Sequence, residues 1–203
     1  IWICYNYRVI ERDLMQLRPH QQRALTAIAD TNKGCVYVPT GGGKTVIMME
    51  DCVRRLDAAI DAQTVVIVAP RILLASQLSS EFMQYLQNRD GYEYNNNFTV
   101  MHVHSGETEH FKTTKVAEIQ RHNDVCMHVC VHQLIFTTYN SLHKIVDSGI
   151  NVDVLYCDEA HNAVQKNHFV GVAATSMVAS NAYFFTATPK YNRNPFANGM
   201  NNK

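Results

Sequence analysis

Residues 36–45 of the chain read VYVPTGGGKT, an apolar strand followed by a glycine turn and a helix-forming stretch. Successive glycines let backbone N–H groups converge on phosphate oxygens, which bulkier residues at positive φ would obstruct. A helix that starts near Lys44 adds the positive end of its dipole to the same anion site. In such a loop Lys44 reaches the β- and γ-phosphates of a nucleotide, and the Thr45 hydroxyl ligates Mg²⁺. The strict pattern GxxxxGK[ST] has a glycine where this chain has Val38. The predicted phosphate-binding residues are Thr40, Gly41, Gly42, Gly43, Lys44 and Thr45.

A second stretch, residues 152–161, reads VDVLYCDEAH and delivers two adjacent carboxylates at the end of an apolar strand. In open α/β sheets ligands gather at the carboxyl ends of the strands, where the glycine turn also ends. Asp158 is positioned to hold Mg²⁺ through water, and Glu159 to polarise a water for in-line attack on the γ-phosphorus. The predicted catalytic residues are therefore Lys44, Asp158 and Glu159. Thr45 and Asp158 form the predicted metal-binding pair. Taken alone, an Asp-Glu pair is also typical of an acidic helix N-terminus.

Short apolar runs alternate with longer amphipathic stretches along the chain, and this alternation indicates the architecture. Several runs are rich in Val and Ile on both faces, as in parallel strands buried between two layers of helices. The predicted fold is α/β, a three-layer parallel sheet with helices on both faces. Helices are predicted after Pro19, from Lys44 to Asp57 and from Leu74 to Leu86. The predicted strands are Gly34 to Pro39, Thr64 to Pro70, Phe98 to His104, Val125 to Val131, Leu134 to Thr138, Val152 to Asp158 and Ala182 to Ala187.

The composition is that of one globular domain. The 203 residues carry 18 Lys+Arg against 18 Asp+Glu, and 46% are hydrophobic, which excludes global disorder and fibrous repeats. Zero net charge gives no global attraction to nucleic acid but is compatible with a local basic groove. No apolar run approaches the ~20 residues needed to cross a bilayer, so we expect no membrane partner. The six cysteines lie mostly in apolar stretches without a CxxC pair, so we expect reduced thiols and a cytoplasmic location.

Turn-forming residues predict loops at residues 91–97, 105–109 and 149–151. Residues 191–203 are rich in Asn without an apolar period, which predicts a linker or frayed tail.

The alternation of Cys and His over residues 126–132 invites a metal hypothesis. On a strand, Cys126, His128, Cys130 and His132 would share one face, but the first and last would lie ~20 Å apart. They cannot then share one tetrahedral ion. A half-buried strand is favoured over a metal site made by His128 and Cys130 with His102 or His104.

The two motifs resemble those of superfamily 2 helicases. Residues 39–45 resemble motif I, in which Val, Ala or Met often replaces the first glycine, and residues 158–161 match the DEAH form of motif II. Motif order and spacing extend the resemblance from about Leu17 to Pro189. It implies the N-terminal RecA-like ATP-binding lobe of a DEAD/DEAH-box-type helicase, a P-loop NTPase domain that uses ATP and Mg²⁺. Restriction-type and viral or phage DNA helicases look most similar.

Other segments carry the resemblance on the nucleotide side. Residues 17–22, LRPHQQ, resemble the adenine-sensing segment, which implies that Gln21 reads the adenine edge with help from Arg18. Residues 186–189, TATP, resemble motif III, which couples the nucleotide site to movement along a strand. By the same likeness His161 links the γ-phosphate site to Thr186 or Thr188.

Two further segments bear on nucleic acid. Residues 68–74, VAPRILL, look like motif Ia, which implies that Arg71 lies near a nucleic-acid backbone. Residues 136–142, FTTYNSL, are similar to a motif whose Thr and Ser hydroxyls contact phosphates.

We expect residues 1–190 to form the ATP-binding lobe. Superfamily 2 motors also have a second RecA-like lobe, whose arginines complete the catalytic site. We expect that lobe to be absent from this chain and to be supplied in cis or in trans. Since an arginine finger is worth ~10³–10⁵ in turnover, the lobe alone should bind ATP with Mg²⁺, hydrolyse it poorly and fail to unwind a duplex.

Three functions are compatible with these features. The favoured one is the ATP-hydrolysing lobe of a superfamily 2 DNA helicase or translocase, with DNA favoured over RNA and a host-cytoplasmic location if the source is a virus or phage. The second is a non-catalytic nucleic-acid-binding regulatory module. The third is a P-loop phosphotransferase, which would need an acceptor pocket and a basic lid that the sequence does not indicate.

Overall fold

The computed structural model describes residues 16–89, 91–190 and 200, in which strands and helices alternate. The strands are β1 (Lys33–Tyr37), β2 (Thr64–Ala69), β3 (Phe98–Val103), β4 (Phe111–Lys112), β5 (His132–Thr138), β6 (Val154–Cys157) and β7 (Asn181–Thr186). The helices are α1 (Pro19–Ala29), α2 (Lys44–Ala58), α3 (Ile72–Gln87), α4 (Val116–His128), α5 (His143–Asp147) and α6 (Lys166–Val178), and a 3₁₀ turn spans Ala160–Asn162.

The described strands form one parallel sheet in the order β1-β7-β6-β2-β5-β3-β4. All residues of β2, in the centre, are buried. Because parallel strands end at the same edge of a sheet, the glycine turn after β1 and the acidic residues after β6 share that edge. Only β7 separates these two strands.

Helices cover both faces of the sheet. One hydrophobic cluster joins α1, α2 and α3 to one face, and a second joins α4, α5 and α6 to the other. Alternate residues of β2 divide between them, with Val65 and Ile67 in the first cluster and Val66 and Val68 in the second. The predicted three-layer fold is confirmed.

One predicted strand is wrong. Residues 125–128 are the last turn of α4, and β5 begins only at His132. The buried residues of α4 are Ile119, Asn123 and Cys126, spaced by four and three residues as one face of a helix requires. Cys130 has φ +57°, just beyond the end of the helix. The alternating Cys and His residues therefore do not lie on one strand. Among the described residues, no group of three or more His, Cys, Asp or Glu could hold a metal ion.

The other predicted strands and helices are present, with shifted ends, and the three predicted loops contain no helix or named strand. Four elements and the 3₁₀ turn were not predicted, namely β4, α4, α5 and α6. β4 has only two residues, and α6 exposes Val170 and Met177 so that no polar face marks it. Of the predicted tail at 191–203, all but Met200 lies outside the described residues. Among the described helices, none is both long and apolar enough to cross a membrane.

A buried polar network ties α2 to the sheet. Asp51, which is 4% exposed, accepts hydrogen bonds from the Tyr156 hydroxyl of β6 at 2.6 Å and from Nε of Arg55 at 2.9 Å. Nη2 of Arg55 donates to the Tyr183 hydroxyl of β7 at 2.6 Å. Buried polar groups cost free energy unless they are paired. The network therefore fixes α2 on β6 and β7.

A histidine pair is buried on β3 and just after it. The ring of His102 is 1% exposed and stacks between Phe136, at 5.7 Å between centroids, and His110, at 5.9 Å. Nδ1 of His104 accepts the Gly106 N–H, at 3.2 Å, so the neutral His104 ring carries its proton on Nε2. That N–H points at Nδ1 of His102, 3.0 Å away. The pair is therefore arranged for two neutral rings.

We expect Asp51→Ala to lower the free energy of unfolding by about 3–5 kcal/mol, because it leaves the partly buried Arg55 guanidinium without its carboxylate. The measurement is urea unfolding at neutral pH. Asp124→Ala, at an exposed position of α4, is the matched control and should change stability by less than about 0.5 kcal/mol. Equal effects of the two substitutions would contradict a structural role for the network.

The acid stability of the fold should depend on His102. Burial lowers the pKa of His102 from 6.5 to about 4, and His104 and His110 add to the shift. As the pH falls, the unfolded chain therefore binds a proton at His102 before the folded chain does. The stabilisation that the neutral His102 ring provides is complete above about pH 6.5 and is lost as the pH falls towards 4. From this side chain we expect the free energy of unfolding to fall by about 2 kcal/mol between about pH 7 and pH 5.

Urea unfolding at several pH values measures this dependence. His102→Gln should remove that part of it, whereas His128→Gln, at an exposed position of α4, should leave it unchanged. An unaltered pH dependence in His102→Gln would assign the loss of stability to other groups.

Candidate nucleotide site and nucleic-acid groove

The glycine turn has a backbone that only glycine fits. Gly43, the last residue before α2, has φ +78°. At Gly42 a Cβ atom would lie 2.9 Å from the carbonyl oxygen of Pro39, which itself accepts the Gly42 N–H at 2.9 Å. The loop is therefore a tight turn directly before the N-terminus of α2, where an anion is favoured.

The first residue of α2 contacts the acidic segment. Nζ of Lys44 lies 2.5 Å from Oε1 of Glu159. The two side chains are 12% and 32% exposed, so the pair is partly shielded from solvent. The strand ends of β1 and β6 thus converge on one site, as the sequence predicts.

Asp158 presents a buried oxygen without a partner. Its Oδ1 has no hydrogen-bond partner among the described residues, although its backbone is held on both sides. The N–H donates to the carbonyl of Val68 at 2.8 Å, and the carbonyl accepts the Tyr139 hydroxyl at 2.7 Å. Burial raises the pKa of Asp158, and the Glu159 charge adds to the rise, whereas Lys44 opposes it. An unpaired carboxylate oxygen beside a lysine fits a site for Mg²⁺ or one of its water ligands.

Glu159 has a left-handed backbone, with φ +46° and ψ +51°. Such a conformation is uncommon outside glycine and is often found at functional sites. Nδ1 of the nearby His161 lies 3.1 Å from the Thr186 hydroxyl and 3.4 Å from that of Thr188. The predicted contact of His161 with Thr186, the last residue of β7, or with Thr188 is therefore present.

The start of α1 lies against the glycine turn. Nη1 of Arg18 donates to the carbonyl of Gly41 at 3.3 Å, and Nε2 of Gln21 donates to that of Gly42 at 3.4 Å. The Arg18 N–H in turn donates to Oε1 of Gln21 at 2.8 Å. His20 was not predicted as a site residue, yet its Nε2 lies 2.8 Å from the same Gly42 carbonyl. Three side chains of this segment therefore contact the loop.

A groove of about 350 Å³ lies along the carboxyl ends of β2, β3 and β5. It brings Arg71, exposed just before α3, together with the hydroxyl-bearing residues Thr138 and Ser141. Its lining residues are Pro70, Arg71, Ile72, His104, Ser105, Thr138, Asn140 and Ser141. The two segments that the resemblance assigns to nucleic acid thus form one surface.

All predicted site residues lie at one edge of the sheet. Lys44 contacts Glu159 directly, and Asp158 precedes Glu159 at the end of β6. Arg18 and Gln21 contact the turn at Gly41 and Gly42. Thr40 and Thr45 are placed there by the loop and by the first turn of α2.

Three residues between the nucleotide site and the groove had no predicted role, namely Tyr139, Asn162 and His168. The ring of His168 stacks on that of Tyr139 and lies within hydrogen-bond distance of Asn162. Tyr139 lies in the segment 136–142 and Asn162 directly follows the DEAH residues, so motifs in the sequence pointed to both positions. No motif pointed to His168, because its contacts with Asn140 and Tyr139 join α6 to a distant part of the chain.

Solved structures share this fold. The nuclease-deletion mutant of the Type ISP restriction-modification enzyme LlaGI, in complex with a DNA substrate mimic, is 20% identical with a TM-score of 0.67, over 87% of this chain and 18% of that one. For the Pyrococcus furiosus Hef helicase domain the values are 23%, 0.64, 90% and 35%. For the UvsW helicase from bacteriophage T4 they are 13%, 0.61, 86% and 53%. This chain thus spans 18% to 53% of these structures' lengths.

No curated protein matches the sequence significantly. The family described as Type III restriction enzyme, res subunit, matches residues 14–191. That range holds the glycine turn, the acidic segment and every described strand. The chain therefore belongs to the Type III restriction enzyme res subunit family and has the N-terminal RecA-like lobe of superfamily 2 helicases.

Proposed function

We propose that the chain is the ATP-binding and hydrolysing lobe of a superfamily 2 DNA helicase or translocase. In this proposal Mg²⁺-dependent ATP hydrolysis is coupled to nucleic-acid binding. The supporting observation is the 2.5 Å contact between Nζ of Lys44 and Oε1 of Glu159. It joins the phosphate-binding turn to a carboxylate suited to activate water.

The nucleotide would bind along the glycine turn. The N–H groups from Thr40 to Lys44 and the N-terminus of α2 would hold its phosphates, once the Gly42 N–H leaves the Pro39 carbonyl that accepts it here. Lys44 would turn from Glu159 to the phosphates, because they offer it a larger negative charge. Arg18 and Gln21 would contact the adenine, since both already touch the turn through Gly41 and Gly42.

Thr45 and Asp158 would hold Mg²⁺, the former through its hydroxyl and the latter through water. The unpaired Oδ1 of Asp158 supports this assignment. The bound ion would neutralise charge on the phosphates.

Glu159 would orient the attacking water. Once Lys44 turns to the phosphates, Oε1 of Glu159 is free to accept a hydrogen bond from a water molecule, whereas Oε2 lies 3.3 Å from Nδ1 of His161. Its left-handed backbone, held by a neighbouring 3₁₀ turn, supports a fixed direction for the side chain. His161 would keep this segment in contact with the end of β7.

The groove would bind the nucleic-acid backbone, with Arg71 as its cation and the hydroxyls of Thr138 and Ser141 as donors. DNA is favoured over RNA, because LlaGI, which shares the fold, was solved in complex with a DNA substrate mimic. The groove lies at the same sheet edge as the nucleotide site. Nucleotide and nucleic acid would therefore bind side by side.

We also propose residues 1–190 as the lobe and 191–203 as a linker or tail. A second RecA-like lobe, in cis or in trans, would complete the motor, so turnover by this chain alone is low. A cytoplasmic location, in a host cell if the source is a virus or phage, suits the five free cysteines among the described residues.

The two acids should have separable effects. Asp158→Ala should abolish the gain in ATP affinity that Mg²⁺ provides, because the carboxylate that holds a water ligand of the metal is lost. Glu159→Gln should keep ATP binding but slow hydrolysis by about 10² or more, because the water loses its base. Fluorescent-nucleotide titration with and without Mg²⁺ measures the first, and single-turnover hydrolysis of labelled ATP measures the second.

Glu93→Gln is the control, because it changes an exposed glutamate in the loop before β3, at the opposite edge of the sheet. It should match the unsubstituted chain in both assays. Undiminished hydrolysis by Glu159→Gln would remove Glu159 from its role.

Arg71 should contribute one phosphate contact. In filter binding of oligo(dT) at several salt concentrations, Arg71→Ala should weaken binding and flatten the log–log salt slope by about 0.7. Arg23→Ala, at an exposed position of α1 outside the groove, should leave the slope unchanged. No binding of oligo(dT) by the unsubstituted chain would favour the phosphotransferase alternative.

A further inference from the structure

The segment after β5 contacts both proposed sites. Asn140 lines the groove, and the adjacent Tyr139 donates its hydroxyl to the Asp158 carbonyl at 2.7 Å. Tyr139 is 2% exposed, and burial raises its pKa well above 10, so the hydroxyl remains a donor. The groove and the acidic segment are therefore in direct structural contact.

His168, on α6, bridges the same two elements a second time. Its ring stacks on Tyr139 with 5.5 Å between centroids and an angle of 22°. Nδ1 lies 3.1 Å from the carbonyl oxygen of Asn162, and Nε2 lies 2.9 Å from Oδ1 of the Asn140 amide. Facing a carbonyl, Nδ1 must carry a proton. A ring that carries both protons donates from Nε2 to Oδ1 of Asn140. A neutral ring accepts at Nε2 instead, with the Asn140 amide turned so that its Nδ2 faces the ring. Both forms keep the bridge.

Asn162 connects His168 to Glu159. Its Nδ2 and its backbone N–H each donate to the Glu159 carbonyl at 2.9 Å. That carbonyl belongs to the residue with the left-handed backbone. A shift of Asn162 therefore changes the support of the proposed catalytic carboxylate.

We propose that His168 is a positioning residue that couples the nucleic-acid groove to the nucleotide site through Asn140, Asn162 and Glu159. The inference rests on the proposed function and adds the route by which one ligand influences the other. His168 is not among the groove's lining residues, and its contacts are with Asn140, Asn162 and Tyr139. A strand that binds Asn140 competes for the amide that His168 holds, so Asn162 and Glu159 respond. By linkage, nucleotide and nucleic acid then change each other's affinity by the same factor.

The test measures that factor with the 203-residue chain. The affinity of a fluorescent non-hydrolysable ATP analogue with Mg²⁺ is titrated with and without saturating oligo(dT), and the reverse titration follows. For the unsubstituted chain we expect both ratios to be about fivefold or more, and equal. His168→Phe keeps a ring to stack on Tyr139 but removes both hydrogen bonds. It should bring the ratio to about one, with each single-ligand affinity within about twofold.

His128→Phe changes an exposed histidine on α4 and should keep the original ratio. His168→Ala repeats the test without a bulky ring, and thermal unfolding of each variant shows that it is folded. A folded His168 variant with the original ratio would overturn the inference. So would a ratio of one in the unsubstituted chain, although the proposed function survives if each ligand still binds. Failure of the unsubstituted chain to bind either ligand would overturn the proposed function itself.

Discussion

The buried carboxylate of Asp51 joins the helix that follows the glycine turn to the strand that carries the two acids. It lies seven residues after Lys44, about two helical turns along α2, so both residues occupy nearly the same face of that helix. Because a helix is rigid over such a length, the Tyr156 contact of Asp51 sets the direction in which α2 begins. The position of Lys44 at the acidic segment depends on this anchor.

The carboxyl edge of the sheet carries two acidic residues, Asp158 and Glu159, with features that the fold alone does not require. Asp158 keeps a buried oxygen without a partner, and Glu159 keeps a strained backbone. Both features cost stability in the folded chain. Such costs are typical of ligand sites, where the missing partner is supplied by the ligand. The unpaired oxygen and the strained backbone support the proposed nucleotide and Mg²⁺ site more directly than the sequence motifs do.

The two faces of the sheet contribute differently to the proposed sites. Helices α1 and α2 bring the adenine-sensing segment and the phosphate loop together on one side. On the other side, α6 contacts the groove segment and the 3₁₀ turn through His168. The proposed nucleotide contacts are thus grouped on one face, and the proposed connection between the two ligands runs along the other.

The glycine turn and the acidic strand end could be predicted from the sequence, because positive φ, strand burial and helix starts depend on a few neighbouring residues. The same local reasoning failed at residues 125–131, where alternating Cys and His imitated a strand although Ile119, Asn123 and Cys126 follow a helical period. Tertiary structure alone decided the strand order, the Lys44 and Glu159 contact across 115 residues, and the His168 bridge. Their partners meet only after the sheet has assembled, since local backbone preferences do not specify which strands become neighbours.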